Sequence, residues 1–258
     1  MTDWSFMIEN IFPAMQSMET RFIWAGVIWA VVMGLAAGNY ACSLIHRLPR
    51  GRLLLDKAPY CGSCGTLLQV RDLFPVFSAV SLRHRCRYCG TSFPISHTVT
   101  EILLASIFVL SFLRYGFGDM LILVCFLASF LIILAAIEVN EKTIMGKVMG
   151  LVVVTGMLAR MYIDGGLFGF VLGGLFGAII GAAIWRKSIT KEGHIYRLPK
   201  QAELMAMAGI CVGSVAFPKF LLLLAGAYIV TWVIAKASQR NLAITIPFGI
   251  AIMVQFFV

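Results

Sequence analysis

Repeated apolar runs, each roughly 16–24 residues long, leave this chain few folds to adopt. About 20 helical residues cross the hydrocarbon core of a bilayer, and any segment inside it must satisfy its backbone polar groups internally. The runs fall at 22–46, 98–114, 119–138, 147–163, 165–185, 202–217, 220–235 and 242–257. The chain is 60% hydrophobic and 13% charged, whereas a soluble domain is nearer about half and a quarter. The expected fold is an all-α polytopic membrane protein of about eight transmembrane helices. The first run has no small-residue cleavage site behind it, so it reads as a retained span rather than a signal peptide. Glycines crowd 165–185, where small residues four apart let membrane helices pack closely.

Charge then orients the spans. The net charge is +9, but no aromatic-and-basic surface pattern asks for a nucleic acid partner. Lys and Arg cluster in cytoplasmic loops of membrane proteins. Segment 47–97 carries Arg47, Arg50, Arg52, Lys57, Arg71, Arg83, Arg85 and Arg87, and segment 186–201 carries Arg186, Lys187, Lys191, Arg197 and Lys200. With eight spans these loops share one side with the connections at 138–147 and 236–241. That side is expected to be the cytoplasm, with both termini outside, periplasmic in a two-membrane cell. Three parts follow: 1–46, an external N-terminus and first helix; 47–97, a cytoplasmic module between the first and second spans; and 98–258, a seven-span membrane domain.

The module contains two CxxC pairs, Cys61 with Cys64 and Cys86 with Cys89. Two such pairs supply a tetrahedral thiolate set, and the spacing suits structural zinc. A segment of about 50 residues is too small to rely on its apolar core, so a metal would add folding energy. Two disulfides or four free thiols are the simpler alternatives, and an iron–sulfur cluster is the rival metal group. A cytoplasmic position disfavours disulfides. Four thiolates leave no open coordination position, so such a metal is structural rather than catalytic. Cys42, Cys125 and Cys211 lie in apolar runs and read as packing residues.

The order of these parts resembles the prepilin leader peptidases of type IV pilus and type II secretion systems. GNYACSLIHRLPRG, at the end of the first run, is similar to the family signature G-S-F-x-N-V-x-I-x-R-L-P. YCGSCGTLLQVRDLFPVFSAVSLRHRCRYCG resembles the family's cysteine module, including D-L-x-P-V-x-S at Asp72 to Ser78, and Glu101 stands where the family has a glutamate. The resemblance implies a multi-pass protein of the bacterial inner membrane that meets prepilins or pilin-like proteins. It implies leader cleavage after a glycine by two membrane-edge aspartates, and methylation of the new N-terminus with S-adenosylmethionine.

In the family, one aspartate lies in I-D-x-x-x-x-x-(I/L)-P-(N/D) and the other ends G-x-G-D before V-K-L-x-A. The first segment corresponds here to AIEVNEKTIMG, with Glu138 at the aspartate position. The second corresponds to RLPKQAELMAMAG, with Gln201 at the aspartate position and Leu198 and Lys200 in place of glycines. GFGD at 116–119 matches by letters alone. Asp119 and Glu138 lie 19 residues apart on one expected span, roughly 28 Å at about 1.5 Å per residue, so they sit at opposite membrane edges. Asp119 is therefore expected to be an external helix-start residue. Aspartic proteolysis needs two close carboxylates that share a proton, and glutamine cannot ionise. The expected protein is a catalytically impaired homologue that binds prepilins, assembly proteins or an active peptidase paralogue. The alternative is an active peptidase, methyltransferase or both, with Glu141 or Glu203 as a second carboxylate.

Overall fold

The computed structural model describes residues 20–51, 64–67, 85–91, 95–141, 146–164, 168–192, 200–238, 243 and 245–257. These residues are overwhelmingly helical. In chain order the helices are α1 (Thr20–Arg47), α2 (Ile95–Tyr115), α3 (Asp119–Glu141) and α4 (Gly146–Asp164). They continue with α5 (Phe168–Glu192), α6 (Lys200–Val212), α7 (Phe217–Ser238) and α8 (Thr245–Phe257). A single 3-10 turn, Leu48–Arg50, follows α1.

Five of the helices are long and apolar enough to cross a membrane: α1, α2, α3, α4 and α7. The apolar parts of α5, α6 and α8 are shorter, Val171–Ala183, Glu203–Val212 and Thr245–Phe257. A 13-residue helix such as α6 or α8 is about 20 Å long, against a hydrocarbon core of about 30 Å. Large apolar side chains face outward, Trp24, Ile28 and Val32 on α1 and Leu222, Ile229 and Val233 on α7 among them. Such surfaces suit lipid, and the protein is a helical membrane protein.

The helix ends follow local chemistry. α2 stops at Gly116, whose amide donates to the Phe112 carbonyl at 2.7 Å. Phe117 then packs at a tilt on Phe112 and edge-to-face on Trp29, with ring centroids 4.9 and 5.4 Å away, and Asp119 opens α3 in its first turn. GFGD is thus the connection between two helices. α6 ends five residues before the expected boundary at 217. Gly213 adopts φ +76°, where a side chain is strained, and its amide closes back on the Gly209 carbonyl at 3.0 Å. α5 runs on through Arg186 to Glu192, beyond its apolar run, because no breaker interrupts it before Gly193.

The chain divides into two compact units, Met1–Leu121 and Ile122–Val258. In the first, α1 and α2 pack along small residues spaced four or eight apart. A methyl group at Gly34 would lie 2.5 Å from the Ala105 Cα, and one at Gly38 would lie 2.6 Å from the Glu101 Cα. Those obstacles are backbone atoms and cannot swing aside. Gly34→Ala should therefore force the helices apart and destabilise the unit by about 1–3 kcal/mol. Thermal unfolding in detergent checks this, and an unchanged midpoint would refute the close contact.

In the second unit α5 and α6 pack through glycine. A Cβ at Gly173 would meet the Gly209 carbonyl oxygen, and one at Gly177 would lie 3.2 Å from the Gly209 Cα. On another side of α6, buried Cys211 faces α4, its thiol 3.7 Å from the Val152 carbonyl. Phe220 of α7 and Phe248 of α8 meet at 6.4 Å between ring centroids.

Candidate metal centre and buried carboxylate

Three of the four module cysteines lie within the described residues, and they converge. The Sγ atoms of Cys64, Cys86 and Cys89 all lie within 4.8 Å of one another. None is in a disulfide. Cys61 lies outside the described residues. Tight turns present the thiols. The Cys86 amide donates to the Thr91 carbonyl at 2.8 Å and the Gly90 amide to the Cys86 carbonyl at 2.9 Å. Gly90 takes φ +71°, the left-handed conformation that this turn requires directly after a CxxC pair. Thr66 and Thr91 repeat one another's role two residues beyond a cysteine: their hydroxyls lie 3.3 Å from Cys64 Sγ and 3.2 Å from Cys89 Sγ.

The electrostatics favour thiolate. Hydrogen bonding from the Thr91 hydroxyl, then its backbone, with the Cys64 and Cys86 thiols adding to it, lowers the Cys89 thiol to about 6. Thiolate is the metal-binding form. On a tetrahedral ion with Zn–S of about 2.3 Å, two thiolates stand about 3.8 Å apart, so a small rotamer adjustment brings these three into one coordination sphere. The residues fit a metal that takes soft sulfur donors.

Glu138 occupies the last turn but one of α3, only 6% exposed. Its Oε2 accepts two hydrogen bonds from one residue. The Thr245 amide donates at 2.8 Å and the Thr245 hydroxyl at 2.6 Å. Thr245 opens α8 and is 3% exposed. A carboxylate at a helix N-terminus answers both the unpaired amides there and the positive end of the helix dipole. The next two positions complete the cap. The Ile246 amide donates to the Ala243 carbonyl at 3.3 Å, and Pro247 has no amide to satisfy.

The other expected carboxylate-site residues are placed as follows. Gln201 stands in the first turn of α6, and its side chain lies outside the described residues. Glu203 is in the same turn and half-buried. Glu141 is the exposed last residue of α3, one turn beyond Glu138. Asp119 is exposed at the opposite end of that helix. Sequence reasoning missed Thr245. Thr-Ile-Pro before an apolar run signals a helix start, but nothing in it points to a partner 107 residues away.

Comparison with known proteins bears on the same region. The profile of the Bacterial Peptidase A24 N-terminal domain matches residues 32–115, which include the cysteine cluster. A prepilin leader peptidase/N-methyltransferase of Myxococcus xanthus is 28% identical over 114 residues, 44% of this chain and 34% of that protein. A protein of the same description from Klebsiella pneumoniae is 30% identical over 144 residues, 53% of this chain and 62% of that protein. A type 4 prepilin-like proteins leader peptide-processing enzyme of Escherichia coli is 24% identical over 200 residues, 74% of this chain and 70% of that protein. The chain thus spans about a third and under two thirds of the length of the Myxococcus and Klebsiella relatives. No solved structure matches. Over residues 32–115 the chain thus carries a match to the Bacterial Peptidase A24 N-terminal domain, and it is similar to prepilin leader peptidases of several bacteria.

Proposed function

We propose that this chain is an inner-membrane prepilin-peptidase-like protein that binds prepilins or pilus-assembly components without cutting them. The observation that carries this is the missing second acid, a glutamine at position 201, beside a Glu138 already engaged in capping α8. A general base must hold a water with a free lone pair, and a partner acid must lend a proton. Here Glu138 Oε2 already receives two donors from Thr245. Gln201, at the position of the second family aspartate, has no proton of that kind to lend. The pairing of a capped glutamate with a glutamine supports loss of cleavage while the fold is kept.

In this reading the membrane part has about eight spans, with α6 and α8 as its short members. The cysteine module lies in the cytoplasm and both termini lie outside. Zinc is the resident metal, held by Cys61, Cys64, Cys86 and Cys89. It ties the module together and takes no part in a reaction.

The test is leader cleavage. Purified chain in detergent is incubated with a panel of prepilins, and products are read by mass. Intact substrates, recovered with the chain in a pull-down, are expected. A fragment cut after the leader glycine would overturn the proposal and return attention to Glu141 and Glu203.

A further inference from the structure

A second cluster of donors sits where the end of α1 meets the start of α2. The close contact of these helices at Gly34 and Gly38 leaves their facing residues in a fixed register. Gly38, Cys42 and His46 follow at intervals of four along α1. They meet α2 in antiparallel order: Gly38 against Glu101, then Cys42 and His46 against His97. Residues four apart share one helix face, so both i, i+4 pairs, Cys42–His46 and His97–Glu101, look into the same seam.

The two imidazoles touch through their outer nitrogens. His46 Nε2 and His97 Nε2 are 3.1 Å apart, with ring centroids at 5.3 Å and planes inclined by 26°. Two nitrogens bound at about 2.05 Å to one ion stand about 3.3 Å apart in tetrahedral geometry and about 2.9 Å apart along an octahedral edge. The observed separation lies between these values. The backbone on both sides of the pair is tied down. The Cys42 thiol lies 3.7 Å from the His97 carbonyl, and Arg50 donates to the His46 carbonyl at 2.5 Å.

We propose that His46 and His97 are the paired imidazole ligands of a second metal site, with water filling its other positions. The ion is a divalent transition metal of the nickel, copper or zinc type, for which imidazole is a suitable ligand. Both Nε2 atoms then carry no proton, and each ring keeps its proton on Nδ1. Arg47 and Arg50 bring positive charge to the end of α1. The arginines weaken affinity for a cation, so the site is an exchangeable one beside the tighter thiolate cluster.

The test uses the full, tag-free chain in detergent, its cysteine cluster loaded with zinc, and nickel alone as probe in equilibrium dialysis. One nickel per chain is expected in addition to the zinc. His46→Gln and His97→Gln should each weaken nickel binding at least about tenfold, with zinc content unchanged as a check on folding. Copper(II) loaded in place of nickel should show splitting from two imidazole nitrogens in its electron paramagnetic resonance spectrum. No added nickel, or nickel binding in both histidine variants as tight as in the unaltered chain, would mean an imidazole–imidazole hydrogen bond only and would overturn the site.

Discussion

The double substitution Cys86→Ser and Cys89→Ser should abolish metal binding by the cysteine cluster, and with zinc as the proposed metal the expected content falls from one atom per chain to none. Serine is close in size to cysteine but offers no soft thiolate. Structural zinc contributes about 10–16 kcal/mol in small finger-like peptides at neutral pH. A module of this size has little else to hold it together. The effect should therefore reach beyond metal content to a lost unfolding transition for the module. Cys125→Ala is the control, because that thiol is buried within α3 and belongs to neither CxxC pair. Elemental analysis beside calorimetry reads both quantities. Full zinc retention in the double variant would disprove the cluster as its ligand set.

Much of this architecture is legible along the chain, for a definite physical reason. Span existence depends on local composition, and each of the eight apolar runs contains a helix in the structure. Helix ends depend on single residues, and errors gather there. The expected sixth span reached 217, but Gly213 turns the chain at the end of α6. Paired cysteines are also local in character, since a CxxC spacing is read directly from the chain, and only the meeting of Cys64 with Cys86 and Cys89 needs the fold. The GFGD stretch shows the opposite lesson. Its letters match a catalytic motif, yet Gly116 and Asp119 end one helix and begin the next. What no local pattern carries is a pairing across the fold. Glu138 with Thr245 and His46 with His97 lie 107 and 51 residues apart. These contacts become visible only when packing has set the register of the helices that bear them.

Removing the Glu138 carboxylate should be among the most damaging single changes to the second unit. Glu138→Ala leaves the Thr245 amide and hydroxyl without their acceptor in a place where Thr245 is 3% exposed. An unpaired buried donor costs about 1–3 kcal/mol, so two together cost roughly 3 kcal/mol or more. Glu138→Gln keeps a carbonyl oxygen at nearly the same point. It loses only the charge assistance and the helix-dipole attraction, about 1 kcal/mol. Thr245→Val removes the hydroxyl and keeps the amide, for about 1–2 kcal/mol. The pair should show a coupling of about 1–2 kcal/mol in a double-mutant cycle, because one contact serves both residues. Glu138→Asp retracts the carboxylate by one methylene and should cost stability without restoring cleavage, since Gln201 still offers no second acid. A catalytic glutamate would behave in the reverse way. Glutamine would then leave stability intact and remove activity as fully as alanine. Thermal unfolding of the five proteins, with leader cleavage measured on each, separates a carboxylate that holds α8 in place from one that holds a water.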